Sequence, residues 1–563
     1  STGIRADNIS SDFIDIIIEE NIIDPILEGI SLRNLISLNS SVDVNNNSIS
    51  TSVSGLEIAL TLDATLITFG PFDFTLPNSG INLANVNTPI QVQDNDIQST
   101  YYGYNLFDIA ASANLVIEGG TISQAAQGIA GFNTDGTTSA PSIFDIDGVV
   151  MSNFQARIVE DLPDMVSVNL GFISIDLDLN DLIVDNLDFH AGIYLVTEGS
   201  GSALTVNVEN CSISGTQNHQ SSNAGIYASS SVNNLINLSV DSTQITDNQN
   251  RGVHLNRIQD AVFRYCTITG NGFQGYDDPN VAGVFEDGLG IILRNFSTGV
   301  EFQNCFIHSD AGSAKVNVRL QNSSSITLRE CSMLTAVNQI ENDGDLADAS
   351  QCWWGNAGIP SGFLGGNAAN VDISPWFNSG IDTNMGTQGF QADYSYLNVS
   401  NDRLQVQSLG RIQEAHDVLS EGGTINVIND TYNENFTVSK NLSLTSNLNN
   451  TTISDITMNL LGIVMQLDRS FRLTGILTLN GGVIQTNNNV LQINNDAVGA
   501  IIQNAVSWVN GRLERNVIAG NFYSFPVGDA SNMERIEISL DNASVSPSIE
   551  FQFIPQDPLI PFI

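Results

Sequence analysis

A single six-residue signature recurs along the N-terminal part of this chain, and it restricts the fold to those that pile a short unit on itself. It consists of an apolar residue, two polar ones, a small or thiol residue, one polar and one apolar. The copies are Val208-Glu-Asn-Cys211-Ser-Ile213, Phe263-Arg-Tyr-Cys266-Thr-Ile268, Phe302-Gln-Asn-Cys305-Phe-Ile307 and Leu328-Arg-Glu-Cys331-Ser-Met333, with Thr243 replacing the thiol in Val240-Asp-Ser-Thr243-Gln-Ile245. In most copies Gly and alternating apolar residues follow, as in Gly225-Ile226-Tyr227-Ala228, Gly252-Val253-His254-Leu255 and Gly290-Ile291-Ile292-Leu293. Two short strands per unit, joined by polar turns, suit a chain that coils and stacks turn on turn.

The same template reads upstream to the first residues. Ile18-Glu-Glu-Asn21-Ile-Ile23 precedes Gly29-Ile30-Ser31-Leu32, and Val44-Asn-Asn-Asn47-Ser-Ile49 precedes Gly55-Leu56-Glu57-Ile58. Val92 to Ile97, Ile117 to Ile122, Ile146 to Met151 and Val184-Asp-Asn-Leu187-Asp-Phe189 continue the series. Fourth positions recur at roughly two dozen residues. The 48-residue step from Asn47 to Asn95 reads as two turns, and the 38 from Val149 to Leu187 and 39 from Cys266 to Cys305 read as turns carrying an inserted loop.

Alternation and an abundance of Val, Ile, Thr and Phe exclude helical repeats, which would space apolar residues by three and four. The expected fold is all-β: a right-handed parallel β-helix (β-solenoid), followed by a second smaller β-helix and a short C-terminal β region. About a dozen turns spaced by ~4.8 Å would make a rod roughly 60 Å long. The inward fourth position should stack as an Asn file (Asn21, Asn47, Asn95) and then as a Cys and Thr file, the Asn residues bonding up and down the stack.

The net charge is −43, from 61 acidic residues against 16 Arg and two Lys, Lys315 and Lys440. A nucleic-acid backbone needs clustered cations, so that partner is excluded. No apolar run approaches a membrane span. Acidic excess fits the solubility of an extracellular rod, a salty medium or divalent cations. Cys211, Cys266, Cys305 and Cys331 share one register without CxxC spacing, which points to buried free thiols rather than disulfides or a metal centre. Gly3-Ile4-Arg5-Ala6 reads as the second half of a unit, and neither a secretory signal nor a sorting tail is evident, so the sequence is expected to be part of a longer protein.

The pattern is expected to break from Cys352 to Asp382, where Trp353, Trp354 and Trp376 would plug the open end of the core. Beyond it, Arg411 to Leu419 places Ile412, Ala415 and Leu419 on one helical face. Residues 1–351 are thus read as the main β-helix, 352–403 as aromatic cap and linker, 404–504 as a second β-helix with a helical cap, and 505–563 as a C-terminal strand region. Cys352-Trp353-Trp354-Gly355 with Ser374-Pro375-Trp376-Phe377 resembles the terminal rung of large secreted Bacteroidetes β-helix proteins. The order of the Arg411–Leu419 helix, Gly422-Gly423-Thr424-Ile425 and Val438-Ser439-Lys440-Asn441-Leu442 resembles the opening of pectin-lyase-like β-helices. Val506-Ser507-Trp508-Val509-Asn510-Gly511-Arg512-Leu513 with Tyr523-Ser524-Phe525-Pro526-Val527-Gly528 resembles a segment that precedes the sorting domain of surface proteins exported by the type IX system. The resemblance implies an extracellular, cell-surface address.

Chemistry-bearing patterns are sparse. Asn133-Thr134-Asp135-Gly136 matches one polygalacturonase motif, but the Gly-His-Gly and Arg-Ile-Lys elements are absent. Tyr276-Asp277-Asp278-Pro279-Asn280 with Glu286-Asp287 lies in the 39-residue turn, flanked by Arg264, Arg294, His254 and Arg257. Asp277, Asp278, Glu286 and Asp287 are the candidate Ca²⁺ ligands, with a solvated turn as the plainer reading. Asp176-x-Asp178-x-Asn180 starts like an EF-hand loop but has Leu187 where the bidentate Glu belongs, so it reads as an acidic strand face. No catalytic residue or cofactor site is assigned. The reading is a non-catalytic structural or adhesive segment of a larger surface protein, possible partners being other copies of it or cell-surface glycans. Its rival is a polysaccharide lyase, hydrolase or glycan-binding module acting on acidic polysaccharide with Ca²⁺.

Overall fold

With one exception, each copy of the signature pairs in register with the copy one coil further on. The computed structural model describes residues 2–554 apart from 11–14, 24–27, 37–40, 51–78, 87–88, 99–101, 110–113, 124–126, 133–141, 155–173, 181–182, 188–190, 198–202, 217–223, 232–234, 273–275, 278–284, 287–288, 310–315, 335–337, 345, 407–409, 429–430 and 543–546. Among the described residues the first part of the chain builds three parallel faces. One is a 13-stranded sheet from Asp15–Glu19 to Val371–Asp372, and one an 11-stranded sheet from Ile22–Ile23 to Ser332–Leu334. The third face has five strands from Thr2–Ser10 to Gln127–Phe132 and seven from Ile193–Thr197 to Leu364–Gly366. This is a right-handed parallel β-helix, the hand that right-twisted strands impose on parallel crossovers.

The pleat explains why the alternating sequence folds this way. The first apolar position of the signature points inward on the 13-stranded sheet, so Val44 lies beside Ile18 and Val92, and Phe302 beside Phe263 and Leu328. These side chains are almost wholly buried, each contributing about 1.5–3 kcal/mol of apolar burial. Phe263 and Phe302 stack at 4.4 Å with 13-stranded-sheet spacing, their planes 9° apart.

The bend to the 11-stranded sheet falls on the third signature residue, which adopts the left-handed conformation. Asn46 (φ 54°), Asp94 (49°), Gly119 (63°) and Asn304 (54°) suit that region, and Glu20, Tyr265, Glu330 and Gln351 are held in it as well. The bend aims the fourth residue inward. Asn21 donates from N and Nδ2 to Asn47 Oδ1 at 3.1 and 2.9 Å, Asn47 does the same to Asn95 Oδ1 at 3.0 Å, and Asn47 Nδ2 also reaches Ile18 O at 2.9 Å.

Two readings of the repeat need correction. Asn47 stacks directly on Asn95, and Ser41–Asn45 pairs with Ile90–Gln93, so the 48-residue step is one coil with a long insertion rather than two coils. The strand registered with Gly29-Ile30 is Gly80-Ile81, while Gly55 to Ile58 lies outside the described residues. Val184 pairs with Ile213 and Leu179 with Val208. The copy therefore runs from Leu179 to Val184, not from Val184 to Phe189. An apolar residue precedes an Asn/Asp pair in both frames, and only the neighbouring coils choose between them.

The file of thiols is longer than the signature shows. Cys266, Cys305 and Cys331 each place Sγ at 3.4–3.6 Å from a carbonyl of the preceding coil, and Cys352 does the same with Leu328 O. Cys352 thus continues the pattern instead of breaking it, because Trp353 bridges Ser332 as the next coil would. All five cysteines are buried and unbridged, and burial pushes the Cys305 and Cys352 thiols well above their ordinary range.

Trp354 and Trp376 are fully buried at the end of this core, and Trp376 Nε1 donates to Ala357 O at 3.2 Å. Phe377 and Phe390 belong to the next core. There Tyr396–Val399, Thr424–Val427, Leu442–Ser446, Val464–Leu467, Gly482–Ile493 and Ser507–Asn516 pair in parallel sequence. Antiparallel strands Met533–Ser539 and Ser548–Gln552 close the far end. Helix α1, Arg411–Val418, buries Ile412 and Ala415 against this second coil, joined by Leu419 just beyond it.

Candidate functional site

The insertion of the 39-residue turn includes a small antiparallel hairpin. Tyr276–Asp277 pairs with Phe285–Glu286, Tyr276 opposite Glu286 and Asp277 opposite Phe285. Asp278 and Asp287 lie outside the described residues, and so do Asn133 to Gly136, His190 and His219. The flanking groups do not form one constellation. Arg264 stands on the 13-stranded sheet in register with Asp241 and Gln303, whereas His254 and Arg294 stand on the third face and Arg257 at a bend. Period-two alternation along the chain does not tell which of three faces a strand joins.

The third face sets His254 beside two tyrosines that the sequence did not single out. Tyr194, Tyr227 and His254 occupy one register across successive coils. The tyrosine rings stack at 5.0 Å and 13°, and the Tyr227 and His254 rings meet at 4.9 Å edge to face. Tyr194 is 54 % exposed, while His254 and Arg251 are buried, with Arg251 Nη1 3.5 Å from His254 Nδ1. Ile292, next in that register, forms a small apolar cluster with Leu289 and Val316, separate from the core that holds its neighbour Ile291. Opposite pointing of consecutive residues turns Ile292 away from the side that Ile291 faces. A sequence signal existed: the Tyr, Tyr and His each follow the apolar residue after Gly or its equivalent.

Other candidates are structural in their contacts. His308 Nε2 lies 3.2 Å from Ser332 Oγ, and burial pushes its pKa down to about 4. His416 accepts from the Ser439 amide at 3.2 Å through Nε2, and burial lowers it too. Asp178 lies on strand Ser174–Asn180, in register with Asp145 and Asn207. Burial and the charges of Asp372 and Asp348 push the Glu414 carboxyl up to about 7. It sits between the two coils, with Arg329 and Arg411 nearby. The i, i+3 spacing of Arg411 and Glu414 was legible, but the Asp partners come from distant strands.

Among the described residues no group of three or more His, Cys, Asp or Glu side chains is arranged to hold a metal ion, and no helix is long and apolar enough to cross a membrane. Cavities of 180 Å³ beside Ile326, Asp348 and Val406, and of 300 Å³ beside Glu209 and Asp241, open on the outside of the 13-stranded sheet.

Stacked parallel faces with interior side-chain files define a β-solenoid protein. Residues 191–341 match the family model described as right handed beta helix region, and the chain is similar to that family over those coils. No curated protein and no solved structure matches the chain.

Proposed function

We propose that the chain is a non-catalytic extracellular β-solenoid: a structural or adhesive segment of a larger bacterial surface protein, in its most specific form a fibre or appendage subunit. The observation that carries this reading is the hydrogen-bonded Asn21–Asn47–Asn95 file and the thiol file that follows it. Inward polar positions are committed to fastening each coil to the next, which is how a stiff spacer is built. The reading extends to a Bacteroidetes source and type IX export, supported by Val506–Leu513 and Tyr523–Gly528, and to a division at residues 351, 403 and 504. Its partners would be other copies or segments of the same protein, or cell-surface glycans. Immunogold labelling of native cells is expected to decorate surface filaments. Labelling confined to the cell interior, or purified protein seen only as compact monomers without surface assemblies, would defeat the reading.

A second reading has its own observation, the Tyr276–Asp277/Phe285–Glu286 hairpin inserted on the chain between the strand carrying His254 and the strand carrying Ile292. On this reading the chain is a polysaccharide lyase, hydrolase or glycan-binding module that holds Ca²⁺ through Asp277, Asp278, Glu286 and Asp287. Incubation with pectate, alginate and polygalacturonate plus Ca²⁺ separates the two. Turnover that disappears in Asp277→Ala and Asp278→Ala establishes the enzyme, and its absence with all three leaves the scaffold.

A further inference from the structure

Where the last strand of the 13-stranded sheet meets helix α1, five ionisable side chains are largely shut away from water. Asp348, Asp372, Arg411 and Glu414 are each at most 5 % exposed, and the Arg329 side chain 16 %. Each aspartate has its own arginine. Arg329 grips Asp348 through both Nη groups, and Arg411 Nη1 donates to Asp372 Oδ1 at 2.9 Å. The amides of Ser374 and Val406 donate to Asp372 at 3.2 and 2.7 Å. Ser350 Oγ, near Glu414, donates instead to Asp348 at 2.9 Å. Two aspartates and two arginines balance. Glu414 is left over: both its carboxylate oxygens are buried with no donor in hydrogen-bonding geometry, since Ser350 Oγ, the hydroxyl beside it, is committed to Asp348.

We propose that Glu414 is a proton-operated latch: uncharged while helix α1 is seated between the two coils and ionised when the helix lifts, so that rising pH loosens the seam. An ionised carboxylate there would be a buried charge without a partner, which proteins avoid by taking up a proton. Burial is the largest influence on Glu414, the charges of Asp372 and Asp348 add to it, and Arg329 and then the Ser350 hydroxyl oppose it. The other elements against the helix supply no compensating cation. Strand Thr431–Val438 brings Glu434 and Tyr432, of which Glu434 receives the amides of Ile412 and Gln413 and Tyr432 donates to Val399 O at 3.1 Å. Tyr396–Val399 brings Tyr396, and Thr424–Val427 carries no ionisable group. On the helix itself His416 lies 3.1 Å from Asp417 Oδ1, with Lys440 and Glu421 nearby, and burial favours its neutral form.

The sign follows from linkage. Glu414 titrates higher when seated, at about 7, than its ordinary 4.5. The stabilisation of the closed seam is therefore complete below the ordinary value and is lost as pH rises through about 7, the reverse of an ion-paired carboxylate.

Hydrogen exchange of the helix α1 amides in the full chain tests this, after correction for the intrinsic pH dependence of exchange. The opening constant is expected to rise about tenfold from pH 6 to 8, and Glu414→Gln should remove that tenfold factor, leaving only smaller contributions from Asp372, Glu434 and His416. Asp348→Asn frees Arg329 to balance an ionised Glu414, so the midpoint should move down towards the ordinary carboxylate range. Opening independent of pH in the parent chain, an unchanged dependence in Glu414→Gln, or an unmoved midpoint in Asp348→Asn would each overturn the latch.

Discussion

The Asn47 side chain serves three neighbours from a place almost closed to water, receiving two hydrogen bonds from Asn21 and giving one each to Asn95 and Ile18. Removing the amide strands buried donors and acceptors on both sides, so Asn47→Ala is expected to cost about 3 kcal/mol. Phe302→Ala, which deletes a fully buried ring stacked on Phe263, should cost about 4 kcal/mol. In a stack where each coil touches its neighbours, both losses are local. Amide exchange should therefore accelerate in the coils of Asn21 and Asn95 for the first variant and of Phe263 and Leu328 for the second, leaving distant coils unchanged. These inward positions were legible because Asn, Cys and Thr recur at one place among apolar residues. The left-handed residues before them were legible only where Asn, Asp or Gly stands. Tyr265, Glu330 and Gln351 carry no such mark, and their neighbours above and below force the bend on them.

Helix α1 shows what an element can and cannot announce in advance. Its buried stripe of Ile412, Ala415 and Leu419 follows from spacing alone, yet Gly410 offers no capping side chain. The cap comes from Glu434, one coil further on, whose carboxylate receives the amides of Ile412 and Gln413 at 3.1–3.3 Å. A methyl group on Gly410 would lie 1.8 Å from Glu434 Oε2, so the glycine is the space the cap occupies. Glu434→Ala is expected to destabilise the helix by about 1 kcal/mol. Gly410→Ala, by pushing the carboxylate off the amides, should cost a similar amount, and the double variant no more than either alone. A double-mutant cycle in thermal unfolding checks this. Additive losses would mean that Gly410 matters for another reason. Long-range capping leaves no local pattern, and for the same cause the 48-residue coil was miscounted: length between Asn47 and Asn95 says nothing about whether a loop leaves and returns at one bend.

At the scale of the whole molecule, the two cores are clipped together by a loop that doubles back across 86 residues of sequence. Phe390 N donates to Asn304 O at 2.8 Å, Asn304 Nδ2 donates to Phe390 O at 3.1 Å, and the Phe390 ring lies edge-on to Phe306 at 5.6 Å. Gly389 makes the approach possible. It sits at φ 76°, and a Cβ there would be 2.2 Å from Asn304 O and 2.6 Å from Tyr265 Cα. Both are backbone atoms that the bend holds fixed, so they cannot step aside as a flexible side chain would. Gly389→Val should therefore undo the clip at a cost of about 3 kcal/mol, while leaving the coils on either side intact. Stability in stacked coils is a sum of unit terms and interface terms, and this substitution strikes an interface. The expected result is that calorimetry of the full chain separates into two transitions more widely spaced than in the parent. An unchanged profile would mean that the buried charges around Asp372 and Arg411, not the clip, couple the cores, and Asp372→Asn should then produce the separation that Gly389→Val did not.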